Sequence, residues 1–276
     1  WVRDCFATSN ISNIAKFFHN FNNVFESLGK IKDKLFVRDY YSNAIYYRLF
    51  IPSMFPEYDK AIYLDCDVIV KTDIAKMFFT DIGDNLLGAV ADEAVSIVPE
   101  FQRYTNNYIK VEHTKYFNSG VLLMNLKEMR NINFENIFMD LIAEYSSKVA
   151  PDQDCLNIIC KNRIYYFDLT WNKMPFAHPL IKLKDINIIH YNLCAKPWKY
   201  ANVLYQEEYW KYAMQTNVYA NIKKALDDYT DKQRENDRVC SAKLIELADK
   251  LSNEVFDLSK FYLILQNTKR KIYTTC

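Results

Sequence analysis

The sequence predicts an α/β protein with a mostly parallel sheet, helices on both faces of that sheet and a helical C-terminal appendage. Short, continuously apolar runs alternate with amphipathic helical patterns, and several of the runs end abruptly in polar residues. Residues 205–265 carry a helical pattern rich in Lys, Glu and Asp and contain no proline. We therefore expect an α/β domain over residues 1–200 and the appendage over residues 201–276.

Apolar residues spaced three and four apart predict the helices. A stripe from Ile11 to Leu28 predicts an N-terminal helix that ends at Gly29, and residues 42–51 predict a second helix that ends at Pro52. Further helices are expected near residues 73–79, over 134–145 and from about Asp152 onward. The expected strands are the apolar runs 60–65, 68–70, 86–91, 120–126, 164–167 and 186–189.

Composition excludes several classes of protein. The chain is 50% hydrophobic with a net charge of +1, which predicts a folded domain and argues against disorder and against general nucleic-acid binding. The four glycines form neither a dinucleotide-binding motif nor a phosphate-binding loop. The seven cysteines are scattered and never C-x-x-C, which indicates reduced thiols in the cytoplasm. No apolar run of about 18 residues predicts a membrane span.

Polar residues follow the expected strands. Asp65 and Asp67 end the first strand, Asp92 ends a later one, Asn118 precedes another, and His190 ends the last. Ligands bind at the carboxyl ends of strands in open parallel sheets. Two carboxylates one residue apart repel unless a cation lies between them, and Asp with His suits Mg²⁺ or Mn²⁺, with His favouring Mn²⁺. A turn at the two aspartates and a buried, hydrogen-bonded His190 remain the alternatives.

Several motifs occur in a fixed order between residues 38 and 200. They are Tyr46-Tyr47-Arg48-Leu49, the run from Lys60 to Val70, the run from Tyr116 to Asn125, the run from Asp152 to Asn157, and the run from Ile189 to Trp198. In these motifs the chain resembles the family 8 glycosyltransferases, which include glycogenin and bacterial lipopolysaccharide glucosyl- and galactosyltransferases. The resemblance implies a Rossmann-like nucleotide-diphospho-sugar transferase fold. It also implies metal-dependent, retaining transfer of glucose or galactose from a UDP-sugar to a saccharide acceptor, such as lipopolysaccharide or another cell-surface glycan.

The resemblance implies a metal site and a contact to the donor. Asp65, Asp67 and His190 would hold Mn²⁺, with Mg²⁺ as the alternative, and the metal would stabilise the UDP leaving group as a Lewis acid. Cys66, between the two aspartates, and Arg48 would contact the donor. From the residues alone, Arg48 could equally pair with a surface acid.

The remaining implied roles belong to the sugar and the leaving phosphate. Asp92 and Asn118 would hydrogen-bond the donor sugar, and Asp152 and Gln153 would lie at its reacting face as the catalytic pair. Lys196 would add a mobile positive charge for the leaving phosphate. The local pattern alone favours Asp152 as a helix N-cap, allows Asp92 simply to end a strand, and allows Lys196 to be a solvated lysine.

Two departures from the family pattern stand out. Leu193 occupies the place of a glycine three residues after the histidine. Only about 47 residues precede Arg48, too few for the family's usual first strand, so we expect part of the nucleoside pocket to be missing. A truncated, inactive sugar-nucleotide fold is therefore one alternative function. A phosphatase of the haloacid dehalogenase type, with Asp65 as its nucleophile, is another.

The last residues suggest a membrane contact. Residues 258–276 combine an apolar and aromatic turn with a cluster of three cations, which predicts weak peripheral attachment to an anionic bilayer at the inner face of the membrane. The alternative is that the apolar face packs on the domain and the basic tail is solvated. The choice between glucose and galactose, the acceptor and the oligomeric state stay open at this point.

Overall fold

The structure, a computed structural model, describes residues 24, 26, 29, 33, 35, 43–144, 148–254 and 259. These residues form two sheets surrounded by helices. The strands are Lys60–Leu64 (β1), Val68–Val70 (β2), Leu87–Ala91 (β3), Phe117–Asn125 (β4), Ile164–Tyr166 (β5) and Ile188–His190 (β6).

Helices alternate with the strands along the chain, and the described residues after 205 are almost wholly helical. The α-helices are Ile51–Met54 (α1), Ala75–Phe78 (α2), Glu93–Ile97 (α3), Pro99–Tyr104 (α4), Leu126–Asn131 (α5), Phe134–Glu144 (α6), Pro151–Ile159 (α7), Gln206–Ala213 (α8), Tyr219–Asp227 (α9) and Asp231–Ser252 (α10). The 3-10 helices are Asn43–Phe50, His113–Lys115, Leu169–Asn172 and Leu183–Asp185, and Thr105–Ile109 is a π-helical turn.

The expected α/β architecture with a helical C-terminal region is confirmed, but the strand pairing differs from a mostly parallel ladder. In the central sheet, ordered β1-β4-β3-β5, β4 runs antiparallel to both β1 and β3, and only β3 and β5 pair in parallel. β1, β3 and β5 therefore point the same way, with β4 reversed between them. A continuously apolar run indicates burial on both faces and carries no signal for strand direction.

The reversal of β4 positions the site. Leu64 at the end of β1 faces Val121, and Ala91 at the end of β3 faces Phe117. The first residues of β4 thus lie beside the last residues of its two neighbours. As a result Asn118 reaches the same edge of the sheet as the residues that follow β1 and β3, although it lies at the start of its own strand.

Both faces of the sheet are covered, as expected. Along β4 the side chains of Leu122 and Met124 join the largest apolar cluster, whereas Val121 and Leu123 join a second one on the opposite face. All four are fully buried. At about 25 cal/mol per Å² of apolar surface, such burial on two faces makes β4 the centre of the hydrophobic stabilisation.

One expected boundary needs correction, and two expected elements lie largely outside the described residues. Pro52 lies in the first turn of α1 and does not end the helical segment, because proline is tolerated where the backbone N–H has no helical partner. The predicted N-terminal helix lies mostly outside the described residues. Its residue Val24 is buried in the largest cluster, as is Leu35 beyond the expected end of the helix. Of the tail, only Ser259 is described. None of the helices in the described residues is long and apolar enough to cross a bilayer.

Candidate active site

Asp65, Asp67 and His190 converge at the carboxyl edge of the sheet. Asp65 and Asp67 lie in the turn between β1 and β2, and His190 ends β6, which pairs with β2. One ligand atom from each lies within 4.8 Å of the others. His190 Nε2 is 3.2 Å from Asp67 Oδ1 and 3.8 Å from Asp65 Oδ2. The convergence expected from the sequence is met, since ligands that share one ion must lie this close.

A chain of hydrogen bonds determines which nitrogen of His190 carries its proton. The backbone N–H of Gly120 donates to Asn118 Oδ1 at 2.9 Å, so that atom is an oxygen. Asn172 Nδ2 donates to the same oxygen at 3.0 Å, which turns Asn172 Oδ1 toward His190 Nδ1 at 2.9 Å. Nδ1 must therefore be the donor. In the neutral imidazole, Nε2 then presents a lone pair to the two carboxylates.

This arrangement fits a divalent cation. Within the described part of the chain, the buried Asp67 Oδ1 has no assigned hydrogen-bond donor and lies 3.2 Å from His190 Nε2, which carries a lone pair when the imidazole is neutral. Two facing electron pairs repel each other, and a cation bound to both removes that repulsion. Gly120 leaves the space, because a Cβ there would lie 2.2 Å from His190 Cε1 and 2.7 Å from Asp65 Oδ2.

Arg48 links the cluster of Asp65, Asp67 and His190, here called the metal-site cluster, to Asp152 of the expected catalytic pair. Its Nη2 donates to Asp65 Oδ1 at 2.9 Å, and its Nε lies 3.2 Å from Asp152 Oδ2. Burial alone lowers the pKa of Arg48, but Asp152 and Asp65 outweigh it and raise the pKa above its ordinary value. The Arg48 guanidinium also lies 4.3 Å from the ring centre of Tyr63, whose hydroxyl donates to Asp65 Oδ1 at 2.8 Å. Arg48 is therefore a buried, permanently charged bridge.

Asp152 does not cap a helix. The N-cap of α7 is Ala150, and Asp152 lies in the first turn with its side chain on Arg48 and on the Ser119 hydroxyl, which donates to Oδ2 at 3.1 Å. Burial raises the pKa of the Asp152 carboxyl, although Arg48 opposes the shift. The favoured local interpretation of Asp152 is therefore wrong, because its side chain is held by groups distant in the sequence.

Asp92 is the residue that caps a helix, and it also faces the site. Its Oδ1 accepts from Val95 N at 3.1 Å at the start of α3. Its Oδ2 accepts from Asn118 Nδ2 at 3.1 Å and from Gln153 Nε2 at 3.0 Å. Asn118 uses both ends of its amide on protein partners, so it organises the side chains around it.

The loop after β6 brings Lys196 onto the metal-site cluster. The Lys196 ammonium contacts Asp67 Oδ2 and the carbonyl of Tyr191, and only 13% of its side chain is exposed, so it is not a solvated lysine. Leu193 in this loop has φ of 56°, the left-handed conformation that favours glycine. A glycine at this position would adopt the same backbone without steric cost. Cys66 is exposed at the mouth of the site.

A buried ion pair between Lys173 and Glu93 lies next to the site. Lys173 is fully buried, and its ammonium donates to Glu93 Oε1 at 2.7 Å and to the carbonyls of Met174 and Phe176 at 2.7 and 2.6 Å. The pair ties α3, which Asp92 begins, to the segment that follows Asn172. It therefore limits the movement of Asp92 relative to Asn172, which contacts His190.

All ten residues expected at the site line one cavity of about 480 Å³. They are Arg48, Asp65, Cys66, Asp67, Asp92, Asn118, Asp152, Gln153, His190 and Lys196. Four carboxylates face the basic side chains of Arg48 and Lys196, so the cavity holds two more acidic than basic side chains when His190 is left out of the count. That excess matches the charge of one divalent cation.

Four further residues that shape the site were missed at the sequence level. Tyr63, Ser119 and Gly120 lie inside recognised motifs, but nothing in their local pattern reports that they contact Asp65, Asp152 or His190. Asn172 lies in a 3-10 turn, and its sequence carries neither a periodic pattern nor a motif. Its role becomes visible only in the structure, where it is 1% exposed and its amide contacts both Asn118 and His190.

Comparison with known proteins decides the family. The profile described as "Glycosyl transferase family 8" matches residues 5–202. The chain belongs to glycosyltransferase family 8. The crystal structure of galactosyltransferase LgtC in complex with donor and acceptor sugar analogs resembles this structure with a TM-score of 0.57 and 27% identity, over 70% of this chain and 73% of that one. The expected fold is thereby confirmed.

Curated relatives agree with the family. Glycosyltransferase GlyA of Streptococcus pneumoniae is 33% identical over 179 residues, covering 62% of this chain and 24% of the relative. The lipopolysaccharide 1,2-glucosyltransferase of Escherichia coli is 26% identical over 191 residues, covering 64% of this chain and 55% of the relative. The chain spans between 24% and 66% of the length of the first curated relatives that it matches.

Family membership also excludes the phosphatase alternative. A haloacid-dehalogenase-type enzyme would need the Asp65 carboxylate as its nucleophile. In this family 8 chain the Oδ1 atom of Asp65 already accepts from both Arg48 and Tyr63. These two donors draw electron density from the carboxylate and suit a structural or ligand role.

Proposed function

We propose that the chain is a metal-dependent, retaining hexosyltransferase that moves glucose or galactose from a UDP-sugar to a saccharide acceptor. The observation that carries the proposal is the cluster of Asp65, Asp67 and His190, with the Nε2 lone pair of His190 aimed at both carboxylates. Family membership supports glycosyl transfer, and retention rests on the family alone. The mixed oxygen and nitrogen ligands favour Mn²⁺, with Mg²⁺ as the alternative.

The proposed chemistry assigns each side of the cavity a task. The bound metal would supply a Lewis acid for the donor diphosphate. Lys196 would leave Asp67 and place its ammonium beside the departing phosphate, where a mobile point charge is most useful. Arg48, fixed by Asp65 and Asp152, would supply an electrostatic contact that needs no reorganisation during reaction.

The sugar would lie against the network of amides and carboxylates on the other side of Arg48. Asp92 and Asn118 would hold its hydroxyls in exchange for the hydrogen bonds that both make to Gln153, with Asp152 and Gln153 at its reacting face. The relatives favour a saccharide acceptor, since one is named a lipopolysaccharide glucosyltransferase and LgtC was crystallised with an acceptor sugar analog. The cytoplasmic location and the membrane contact of residues 258–276 stay predictions.

Replacement of Asp67 tests the proposal. The unaltered chain should hydrolyse a UDP-hexose in the presence of Mn²⁺, and Asp67→Ala should abolish the Mn²⁺-stimulated part because a ligand is lost. The matched control is Asp84→Ala, which removes an exposed carboxylate outside the cavity. Circular dichroism should show both variants folded, since neither side chain belongs to an apolar cluster.

Two outcomes would decide against the proposal. If Asp67→Ala keeps its Mn²⁺-stimulated turnover, the cluster is not the metal site. If the unaltered chain binds UDP and Mn²⁺ but turns over neither UDP-glucose nor UDP-galactose, the proposed transfer of these sugars is wrong and the inactive sugar-nucleotide fold is the better account.

A further inference from the structure

A polar and aromatic cluster outside the cavity joins α10 to the loop that carries Lys196. Asp237 of α10 is 7% exposed, and its Oδ2 accepts from the hydroxyls of Tyr200 at 3.0 Å and Tyr229 at 2.8 Å. Arg234, one turn earlier, donates to the carbonyls of Lys199 at 3.0 Å and Tyr229 at 2.8 Å. Its guanidinium lies 5.4 and 5.6 Å from the ring centres of Tyr200 and Tyr229.

The cluster acts on Lys196 through a short stretch of backbone. The carbonyl of Lys196 accepts from the backbone N–H of Lys199 at 2.9 Å and of Tyr200 at 3.0 Å. The same two residues contact α10. Arg234 donates to the carbonyl of Lys199 and lies over the ring of Tyr200. Asp237 pairs with the ammonium of Lys199 and accepts from the hydroxyl of Tyr200. A shift of α10 therefore moves the backbone from which Lys196 extends to Asp67.

The other end of α10 is fixed in the core of the transferase domain. Ala248 and Leu251 are buried in the largest apolar cluster, and Asp249 pairs with Arg103 of α4 at 2.6 Å. Leu244, between the two ends, lines the active-site cavity. A 22-residue helix is about 33 Å long, so α10 reaches from the helices that follow Asp92 to the loop of Lys196.

We infer that Asp237 and Arg234 of α10 are positioning residues that hold Lys196 in place for the departing phosphate of the donor. The inference rests on the role given to Lys196 in the proposed function. Asp237 is suited to this task because its carboxylate is buried and accepts phenolic hydrogen bonds from Tyr200 of the loop and from Tyr229, which lies just before α10. The burial of Tyr200 and its hydrogen bond to Asp237 raise the pKa of Tyr200 to about 12, so its hydroxyl stays a donor at neutral pH.

The test compares Asp237→Asn with a matched control on the same helix. Glu235→Gln also removes one carboxylate of α10, but Glu235 pairs with Arg238 on the exposed face, away from the loop. We expect Asp237→Asn to lower kcat/KM for the UDP-sugar by about 10- to 100-fold, because small displacements of a positioned group have effects of that size. Glu235→Gln should leave kcat/KM within about twofold of the unaltered chain.

A double-mutant cycle separates positioning from general stability. If α10 acts through Lys196, Asp237→Asn should cause no further loss of turnover in a chain that already carries Lys196→Ala. Hydrogen exchange gives a second readout that needs no activity. The amides of residues 192–200 should lose protection in Asp237→Asn, while those of β4 keep theirs.

The possible outcomes separate this inference from the proposed function. If Lys196→Ala is impaired but Asp237→Asn is not, or if the two losses simply multiply, positioning by α10 is overturned and the role of Lys196 stands. If Lys196→Ala has no effect on turnover, the role of Lys196 in the proposed function and its positioning by α10 are both wrong, while the Asp67→Ala test of the metal site still stands. Unchanged exchange over residues 192–200 in Asp237→Asn would overturn the inference even in a chain without turnover.

Discussion

The substitution Gly120→Ala is the sharpest single test of the metal site. A Cβ at this position would lie 2.2 Å from His190 Cε1, 3.0 Å from His190 Nδ1 and 2.7 Å from Asp65 Oδ2. To reach an ordinary van der Waals distance, the imidazole would have to retreat by roughly 1 Å. His190 is 2% exposed, so the substitution either displaces the ligand or strains β4.

The displacement can be converted into two expected magnitudes. Overpacking a close-packed interior costs about 1–3 kcal/mol of unfolding free energy. Metal–ligand bonds tolerate only about 0.2 Å, so a ligand shifted by roughly 1 Å no longer binds the ion in common with the carboxylates. We therefore expect the Mn²⁺ affinity of Gly120→Ala to fall more than about 100-fold, which corresponds to about 2.8 kcal/mol.

Gly88→Ala is the matched control for this substitution. Gly88 lies on the neighbouring strand β3, and a Cβ there would meet the edge of the Phe167 ring at 2.6 Å, far from the metal ligands. Both variants should unfold at lower urea concentration, but only Gly120→Ala should lose Mn²⁺ affinity when free Mn²⁺ is measured by electron paramagnetic resonance. Equal affinities in the two variants would refute the account of the site.

Three further substitutions test the surroundings of the site. Asn172→Leu leaves His190 Nδ1 without its acceptor, and Mn²⁺ affinity measured by the same titration should fall about 10- to 100-fold; an unchanged affinity would show that Asn172 does not orient the imidazole. Lys173→Met leaves the buried Glu93 carboxylate unpaired and should lower the unfolding free energy by about 3–5 kcal/mol in urea titrations, whereas a loss below about 1 kcal/mol would contradict the ion-pair argument. Leu193→Gly relieves a left-handed backbone and should raise the unfolding free energy by up to about 1 kcal/mol; a clear decrease would mean that the Leu193 side chain contributes more than its backbone costs.

The sequence alone predicted the class of the fold, and the resemblance of its motifs to a family predicted the ten candidate site residues. Apolar runs that end in Asp65, Asp92 and His190 are local patterns, and a strand buried on both faces must carry such a pattern whatever its partners are. The long helical region after residue 200 is equally local, because it depends on helical periodicity and the absence of proline. The structure agrees with these predictions because each depends only on a short segment of the chain.

Strand direction and capping depended on partners that local pattern does not contain. Nothing in the apolar run from Phe117 onward reveals that β4 is reversed, since either direction buries the same side chains. Asp92 and Asp152 both precede or begin helices, and local pattern favoured the wrong one as the cap. The choice was made by Arg48 and Ser119, which hold Asp152 from more than 30 residues away in the chain.

Only the tertiary structure decided how the site is held together. The proton position on His190 depends on Asn118, Asn172 and the backbone of Gly120, which meet only when β4, β6 and the 3-10 turn pack together. The sequence predicts the long helix α10 as part of an appendage. In the structure, however, its Asp237 accepts a hydrogen bond from Tyr200, whose backbone N–H donates to the carbonyl of Lys196. The physical reason is the same in each case: hydrogen bonds and close contacts between distant segments depend on three-dimensional distance, and a local pattern of residue types does not encode that distance.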